Sequence, residues 1–273
     1  MNSNVSSACS GSIAPFLKWA GGKRWLVHKH GNLFPDFSGR YIEPFLGSGA
    51  VFFHLKPEDA VISDSNSWLI DTYVALRDDW QSVFELLKKH QHKHSKNYYY
   101  EMRAFSLEDK IERAAQFIYL NRTCWNGLFR VNLSGKFNVP IGTKSNVLLE
   151  DGFLEISEIL SNANILNVDF EKVVDLAVEG DFLFVDPPYT VKHNLNGFVK
   201  YNEKIFSWDD QERLFYSLRR AKERGVKIML TNANHSSILS LYEGFFDIQE
   251  IERASVISAN KDFRSRTTEL LIS

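Results

Sequence analysis

Cysteines are scarce in this chain, and long runs of apolar residues are absent. Its 273 residues include two cysteines, Cys9 and Cys124, whose spacing matches neither a disulfide framework nor a zinc site. No apolar stretch is long enough to span a membrane, and residues 1–12 lack the order of basic and apolar residues that marks a signal peptide. We therefore expect a cytoplasmic protein with a flexible terminus at residues 1–12, without a membrane partner and without a bound metal.

A marked excess of either charge is absent as well, since the formal net charge is −2. The charges are unevenly distributed, however. Residues 88–144 contain eleven Lys and Arg against four Asp and Glu, a net charge of +7, which leaves −9 for the rest of the chain. Such a basic segment is typical of a surface that binds a polyanion, although many charge runs are only solvated helix faces. Here the segment also holds Arg122, Trp125, Asn126 and Arg130 close together, which a plain solvated face does not need.

Strand and helix patterns alternate at both ends of the chain. The predicted strands occupy residues 40–46, 59–62, 164–168, 182–185, 226–230, 246–251 and 268–272. Helical patterns follow most of them, which predicts an α/β fold with a mostly parallel sheet and helices on both of its faces. The last two strands suit antiparallel pairing.

The middle of the chain breaks this alternation. It begins with long helical patterns and later contains a hairpin pattern around Ser134 and Gly135. We therefore predict that residues 66–160 are an insertion that forms its own mainly helical lobe with a β-hairpin. Residues 13–65 and 161–273 then build the α/β domain.

The most informative stretch is Asp186-Pro-Pro-Tyr189, which follows a buried apolar strand pattern. Open α/β sheets bind their ligands at the carboxyl ends of such strands. The Asp186 carboxylate and the Pro187 carbonyl oxygen can accept two hydrogen bonds from one exocyclic amino group, and the prolines fix the direction of that carbonyl. Tyr189 offers a face on which a planar base can stack. The pattern therefore favours a site that aims the lone pair of an amino group at an electrophile; the alternative is a proline-stiffened turn.

A second candidate site is Glu43-Pro-Phe-Leu-Gly-Ser-Gly49, a strand followed by a Gly-x-Gly turn and a helix. A dinucleotide fingerprint needs a third glycine where this chain has Phe52, which argues against NAD. Asp64, at the end of the next strand, can bind two ribose hydroxyls, so the two features together fit an adenosine-containing ligand. The alternative role for Asp64 is that of a helix N-cap before Asn66.

Two other motifs carry weaker predictions. Trp19-Ala-Gly-Gly-Lys23 fails as a phosphate-binding P-loop, because the first glycine and the magnesium-binding Ser or Thr of that motif are missing; a turn that could wall a cofactor remains. His90, His92 and His94 alternate as metal ligands sometimes do. With no carboxylate or cysteine beside them, they indicate a solvated basic helix end instead.

Five motifs occur in a fixed order along the chain, namely Phe16-Leu-Lys-Trp-Ala-Gly-Gly-Lys23, Glu43-Pro-Phe-Leu-Gly-Ser-Gly49, Asn121-Arg-Thr-Cys-Trp-Asn-Gly-Leu-Phe-Arg-Val-Asn132, Phe137-Asn-Val-Pro140 and Asp186-Pro-Pro-Tyr189. Together they closely resemble the Dam family of DNA adenine-N6 methyltransferases, of the alpha group and D12 class, over nearly the whole chain. The resemblance implies a Rossmann-like methyltransferase fold, S-adenosylmethionine as methyl donor and adenine in double-stranded DNA as acceptor. It also assigns target recognition to residues 66–160.

The resemblance implies roles for individual residues. The residues that match the catalytic tetrad are Asp186, Pro187 and Tyr189. The residues that match cofactor-binding positions are Trp19, Lys23, Glu43, Phe45, Gly47, Gly49, Asp64, Asp169, Phe170 and again Asp186. The residues that match DNA-contacting positions are Lys18, Asn121, Arg122, Trp125, Asn126, Leu128, Arg130 and Pro140. Within that last set, Asn121 and Arg122 match positions that contact phosphates.

The DNA-contacting set implies GATC as the target sequence. The side-chain types suit this target, because Arg130 can bind a guanine edge with two hydrogen bonds, and Leu128 and Pro140 can contact a thymine methyl group. Trp125 stands where the family often has another aromatic residue that enters the duplex. Lys144 departs from the aromatic residue often found nearby.

The predicted mechanism follows from the position of the target atom inside a base pair. The adenine must be flipped out, at a cost of roughly a few kcal/mol, and Trp125 can fill the space left behind. The base then stacks on Tyr189 while N6 donates hydrogen bonds to Asp186 and to the Pro187 carbonyl. The expected reaction is a direct in-line methyl transfer by a monomer that needs no metal.

Three alternatives remain open on the sequence. Methylation of cytosine N4 usually has Ser in place of Asp186, and methylation of a glutamine side chain usually begins the tetrad with Asn. A non-catalytic DNA-binding protein would have no need of Asp186, Tyr189 or the two glycines of the Gly-x-Gly turn. The biological setting is also open between a solitary enzyme and the protective half of a restriction system.

Overall fold

The computed structural model of the chain describes residues 13–132, 134–149, 152–192, 206–253 and 267–273. The predicted flexible terminus at residues 1–12 lies outside the described residues. Within the described ranges, no helix combines the length and the apolar character needed to cross a membrane.

A seven-stranded sheet forms the centre of the fold. Its strands are β1 (Tyr41–Glu43), β2 (Ala60–Ser63), β3 (Ala163–Leu166), β4 (Phe182–Val185), β5 (Lys227–Ala233), β6 (Ile248–Arg253) and β7 (Thr267–Ile272). They lie in the order β3-β2-β1-β4-β5-β7-β6. The first five strands are parallel, and β7 runs antiparallel to β5 and β6. The predicted mostly parallel sheet with antiparallel closing strands is confirmed.

Helices cover both faces of this sheet. They are α1 (Arg24–His30), α2 (Ala50–Leu55), α3 (Ser67–Lys93), α4 (Lys96–Ala104), α5 (Lys110–Thr123), α6 (Phe153–Ser161), α7 (Phe170–Asp175), α8 (Trp208–Glu223) and α9 (Ser236–Tyr242). The start of α8 is fixed by a capping box, in which the Asp210 backbone N–H donates to Ser207 Oγ at 3.1 Å and the Ser207 N–H donates to Asp210 Oδ2 at 2.9 Å. Such reciprocal caps make a helix start visible in the sequence.

The strand order reverses between β1 and β4, and this reversal brings two candidate motifs together. The two strands pair in parallel, with Tyr41 beside Phe182. Glu43 ends β1, and Asp186 directly follows β4. Ligands of open α/β sheets bind at such a reversal, outside the carboxyl ends of the strands. The Gly-rich turn and the Asp186 tetrad therefore border one crevice.

The inserted region shares its hydrophobic core with the sheet. Leu76 of α3 and Phe117 of α5 belong to the same buried cluster as Tyr41 of β1. A second buried cluster, on the opposite face, contains the alternating strand residues and the buried side of α7, α8 and α9. The insertion thus packs on one face of the sheet, and its division from the α/β domain as a lobe of its own stays a prediction. Its predicted start lies at the N-cap of α3, whereas its predicted end at residue 160 falls inside α6.

Two local features of the inserted region differ from the predictions. The hairpin around Ser134 and Gly135 is reduced to an isolated bridge between Val131 and Phe137, and Leu133 in its turn lies outside the described residues. Helix α4 had no sequence signal, because its three consecutive tyrosines are only moderate helix formers. Its start is nevertheless capped by Ser95, and its buried side packs into the common core.

His90 lies in a buried group of aromatic side chains. Its ring stacks on Tyr119 with centroids 4.9 Å apart, and its Nδ1 is 2.7 Å from Tyr98 Oη. His94 Nδ1 is likewise 3.0 Å from Tyr119 Oη. The prediction of a solvated helix end is therefore wrong for His90, which is buried, and correct for His92, which is exposed. Among the described residues, no group of three His, Cys, Asp or Glu side chains could hold a metal ion.

The burial of His90 predicts a loss of stability in acid. Burial, and to a smaller extent Lys93, lowers the pKa of His90 from 6.5 to about 4. Between these pH values the unfolded chain binds a proton that the folded chain excludes, so the free energy of unfolding decreases as the pH falls from 6.5 towards 4. The contribution of His90 to this decrease is about 3 kcal/mol.

Urea unfolding of the wild type and of His90→Gln at several pH values measures this contribution. The variant should lose stability less steeply between pH 6.5 and pH 4. His92→Gln, on the exposed side of the same helix, is the matched control and should follow the wild type. If the free energy of unfolding depended on pH identically in all three proteins, His90 would not be the source of the acid instability.

Candidate active site

The Gly-rich turn after β1 packs against Trp19. Gly47 and Gly49 adopt φ angles of 50° and 65°, a region that favours glycine. A Cβ atom on Gly47 would lie 2.8 Å from Trp19 Cδ1, so a larger residue would displace the indole. Trp19 also stacks on Phe129 of the inserted region, with ring centroids 5.7 Å apart. Two of the predicted cofactor-binding segments therefore meet here and contact the inserted region.

Asp64 ties this turn to the end of β2. Its Oδ2 accepts a hydrogen bond from the Gly47 N–H at 3.0 Å, and its Oδ1 accepts one from the Asn66 N–H at 2.9 Å. The N-cap of α3 is Asn66, whose side chain accepts from the N–H groups of Trp68 and Leu69. The alternative role of Asp64 as the N-cap is therefore wrong. Burial raises the pKa of Asp64, and the hydrogen bonds from Asn66 and Gly47 oppose that rise.

Glu43 contributes a buried carboxyl group at the end of β1. It is 2% exposed, and its Oε2 accepts a hydrogen bond from Tyr41 Oη at 2.8 Å. Burial raises the pKa of Glu43 well above its usual range, and the charges of Asp186 and Asp64 raise it further. The protonated form is thus favoured at pH values where an exposed Glu is ionised.

Asp186 is held by one of its two carboxylate oxygens. Lys23 Nζ lies 2.8 Å from Oδ1, and Thr231 Oγ1 donates to the same Oδ1 at 2.8 Å. Within the described part of the chain, Oδ2 accepts no hydrogen bond. Burial raises the pKa of Asp186, while Lys23 and Thr231 act in the opposite direction. One oxygen is thus anchored, and the other remains available as an acceptor.

Tyr189 and Pro187 complete the tetrad. Tyr189 Oη donates to Glu269 Oε2 at 2.6 Å, and Lys23 Nζ lies 4.9 Å from the centroid of the tyrosine ring. Burial, followed by the charges of Asp186 and Glu269, raises the pKa of Tyr189 well above its usual range, so the hydroxyl keeps its proton. Pro187 is buried, and its carbonyl oxygen accepts no hydrogen bond from any residue that the structure describes.

Aromatic rings line the crevice next to the Gly-rich turn. Phe45 is half-buried and stacks on Phe170, with centroids 5.3 Å apart. Phe206 meets both rings at 5.6 Å. Asp169 caps α7 through the Glu171 N–H and forms an ion pair with Arg213, 2.9 Å apart. The predicted pair of Asp169 and Phe170 therefore lies beside Phe45, although the Asp169 carboxylate already has partners.

Six of the eight predicted DNA-contacting residues have exposed side chains. They are Lys18, Trp125, Asn126, Leu128, Arg130 and Pro140. Trp125 and Leu128 are the two large apolar members, and Trp125 is the more exposed, at 53%. A large exposed aromatic side chain amid basic residues is typical of an interaction surface.

Contacts between the loops make these six residues one surface. The Trp125 N–H donates to the Pro140 carbonyl oxygen at 2.9 Å. Gly127 approaches Lys18 so closely that a Cβ atom there would lie 2.5 Å from Lys18 Cδ. Arg130 Nε donates to Asn138 Oδ1 at 2.8 Å, which orients the guanidinium group.

Asn121 holds two of these loops from inside. It is 2% exposed. Its Oδ1 accepts from the Lys18 N–H at 3.0 Å, and its Nδ2 donates to the carbonyl oxygens of Lys18 and Gly127 at 2.9 and 3.2 Å. The predicted phosphate contact does not fit this buried position, because the amide group is already directed at the backbone.

Arg122 is also buried, with 7% of its surface exposed. Its Nη2 donates to the Phe16 carbonyl oxygen at 3.0 Å, and its Nη1 donates to the Val147 carbonyl oxygen at 2.7 Å. These bonds join the N-terminal segment to the end of the basic region. The predicted phosphate contact of Arg122 is therefore corrected to a structural role.

Three residues that contact predicted site residues were not themselves predicted from the sequence. They are Thr231, Glu269 and Asn138. Asn138 lies inside the Phe137-Asn-Val-Pro140 motif, so the motif itself pointed to it. Glu269 is the single acidic residue of β7 and directly precedes the apolar residues at positions 270–272, a local signal for a buried charge with a partner. Thr231 has no such signal, since threonine is common in strands.

The chain is similar to known DNA methyltransferases over most of its length. Residues 19–257 match the family model of the D12 class N6 adenine-specific DNA methyltransferases. A type II methyltransferase of Lactococcus lactis subsp. cremoris is 38% identical over 271 residues, covering 96% of this chain and 95% of that protein. A DNA adenine methylase of Haemophilus influenzae is 31% identical over 266 residues, covering 94% and 92%. The chain therefore belongs to the D12 class of N6 adenine-specific DNA methyltransferases.

Proposed function

We propose that this adenine-N6 DNA methyltransferase modifies the adenine of GATC in duplex DNA after flipping that base out of the helix. The observation that carries the proposal is an Asp186 carboxylate anchored through Oδ1, with Oδ2 left as an acceptor. The exposed loop residues of the inserted region support duplex DNA as the substrate. One chain contains both the tetrad and these loops, which supports action as a monomer.

The crevice has the chemistry to bind S-adenosylmethionine. Carboxyl groups follow or end the adjacent strands β1, β2 and β4, at Glu43, Asp64 and Asp186. Asp64 suits a ribose diol, the Asp186 carboxylate suits a ligand with a sulfonium cation, and the half-buried ring of Phe45 suits an adenine base. The other members of the proposed cofactor site are Trp19, Lys23, Gly47, Gly49, Asp169 and Phe170. When bound, S-adenosylmethionine supplies an electrophilic methyl group.

The tetrad can orient the amino group of a flipped adenine. Asp186 Oδ2 and the Pro187 carbonyl oxygen are two acceptors for the two N6 hydrogens, and Tyr189 offers its ring for stacking. Lys23 and Thr231 hold the other Asp186 oxygen, so the carboxylate cannot rotate without breaking two contacts. Positioning by preset acceptors lowers the barrier because no reorganisation is needed during the reaction.

The loop surface suits the GATC duplex in its side-chain chemistry. Arg130, oriented by Asn138, can bind a guanine edge, and Leu128 and Pro140 can contact a thymine methyl group. Trp125 can fill the space that the flipped adenine leaves. These assignments, together with Asn126, form the proposed base-reading set.

Two lysines supply positive charge beside that set. Burial, followed by the neighbouring charge of Lys144, lowers the pKa of Lys18. Two adjacent like charges repel each other and are stabilised by an anion, such as a phosphate group of DNA. We therefore assign Lys144, which departs from the family pattern, to the DNA-facing surface together with Lys18.

Methyl transfer to two matched duplexes tests the target sequence. One duplex contains GATC, and in the other the adenine and thymine are exchanged. With tritiated S-adenosylmethionine, we expect label in the GATC duplex alone, recovered as N6-methyladenine. If neither duplex is labelled but a randomised duplex library is methylated, the enzyme has a target sequence other than GATC.

Replacement of the central carboxylate tests the mechanism. Asp186→Ala removes an acceptor of the amino group, so kcat should fall by about 10²–10³-fold or more. Binding of the duplex should remain measurable by fluorescence anisotropy, because the loop surface is untouched. Asp209→Ala, which removes an exposed carboxylate in the first turn of α8, is the control. Near-normal kcat in Asp186→Ala would contradict the mechanism.

Replacement of Arg122 separates a structural role from a phosphate contact. Arg122→Leu leaves the Phe16 and Val147 carbonyl oxygens without this donor, so it should lower stability by about 2–4 kcal/mol. The salt dependence of DNA binding, measured on the folded protein, should stay unchanged. Arg130→Ala should leave the melting temperature unchanged. A phosphate contact would instead reduce the slope of log K against log salt by about one, without loss of stability.

A further inference from the structure

Glu269 is a buried carboxylate beside Tyr189 of the tetrad. It lies on β7 and is 4% exposed. Its Oε1 accepts from Arg253 Nη1 at 2.8 Å, and its Oε2 accepts from Tyr189 Oη at 2.6 Å. Lys23 Nζ lies 3.5 Å from the same Oε2. A buried charge requires such partners, because removal from water is costly unless it is compensated.

The contacts of Glu269 reach two groups with proposed roles in catalysis. Through the hydroxyl at the far end of Tyr189, the carboxylate holds the end of the ring on which the adenine would stack. Through Lys23, it shares a cation with Asp186, whose Oδ1 is 2.8 Å from the same ammonium group. Arg253, on the neighbouring strand β6, takes part in neither contact. It pairs with the other carboxylate oxygen of Glu269, Oε1.

We propose that Glu269 is a positioning residue for methyl transfer to adenine. It fixes the Tyr189 ring and limits the attraction of Lys23 for Asp186, so that the Asp186 carboxylate keeps one acceptor for the amino group. This inference rests on the proposed roles of Asp186 and Tyr189. Without the Glu269 charge, Lys23 has one carboxylate partner instead of two, and it competes more strongly with the substrate for Asp186.

Glu269→Gln is the sharpest test, because it keeps the side-chain shape and a carbonyl oxygen for the Tyr189 hydroxyl while removing the charge. We expect kcat to fall by about 10- to 100-fold, because Lys23 then pairs with Asp186 alone and competes with the amino group for that carboxylate. The KM for DNA should change little, since Glu269 is distant in sequence and contact from the loop surface. Glu250→Gln on β6, an exposed carboxylate of the neighbouring strand, is the matched control.

A double-mutant cycle that combines Glu269→Ala, which removes the acceptor of the tyrosine hydroxyl, with Tyr189→Phe separates positioning from a merely structural role. If Glu269 acts through the tyrosine hydroxyl, kcat of the double variant should be about that of the worse single variant. Two independent effects would multiply instead. Thermal unfolding and circular dichroism of each variant give the folded fraction, and kcat is expressed per folded molecule. An unchanged kcat for Glu269→Gln on this basis, or a multiplicative cycle, would overturn the inference.

The assay uses a randomised duplex library, so an error in the proposed target sequence leaves the comparison intact. Tyr189→Ala distinguishes the inference from the proposed tetrad itself. If Tyr189→Ala loses activity while Glu269→Gln keeps it, the inference on Glu269 alone is wrong. If both keep wild-type kcat, the proposed stacking role of Tyr189 is wrong as well.

Discussion

The ammonium group of Lys23 is the interaction on which the crevice depends. It is buried, and it joins the Asp186 carboxylate after β4 to the Glu269 carboxylate on β7, with the Tyr189 ring beside it. A buried cation is stable only where carboxylates and carbonyl oxygens replace its lost water. The N-terminal segment is therefore fixed to the sheet by the same charges that orient the tetrad.

The inserted region is connected to this crevice by side-chain packing and by hydrogen bonds to the backbone of the N-terminal segment. Its helices share one hydrophobic core with a face of the sheet, and Trp19 stacks on Phe129 while touching the Gly-rich turn. Asn121 and Arg122 bind the backbone of the N-terminal segment from inside the protein. The loop surface and the tetrad are consequently held by one set of buried contacts. Such a shared frame suits the proposed function, in which the sequence is read and one base is placed at the same time.

The sequence predicted the parts of the site that are local in the chain. The apolar run before Asp186 and the glycines of the Gly-x-Gly turn each carry their signal within a few residues. Glu269 escaped prediction because its partners lie on three distant segments, at Lys23, Tyr189 and Arg253, which only the folded chain brings together. Asn121 and Arg122 were assigned to phosphates for the same reason. Their residue types suit either role, and burial against distant carbonyl oxygens decides between them.

A crystal structure with a GATC duplex and a non-transferable analogue of S-adenosylmethionine would test the central claim most directly. The account predicts an extrahelical adenine stacked on Tyr189, with N6 within hydrogen-bonding distance of Asp186 Oδ2 and the Pro187 carbonyl oxygen. Lys23 should remain beside Asp186 Oδ1, and Tyr189 should still donate to Glu269. An adenine bound elsewhere, or Lys23 lying between N6 and the Asp186 carboxylate, would contradict it.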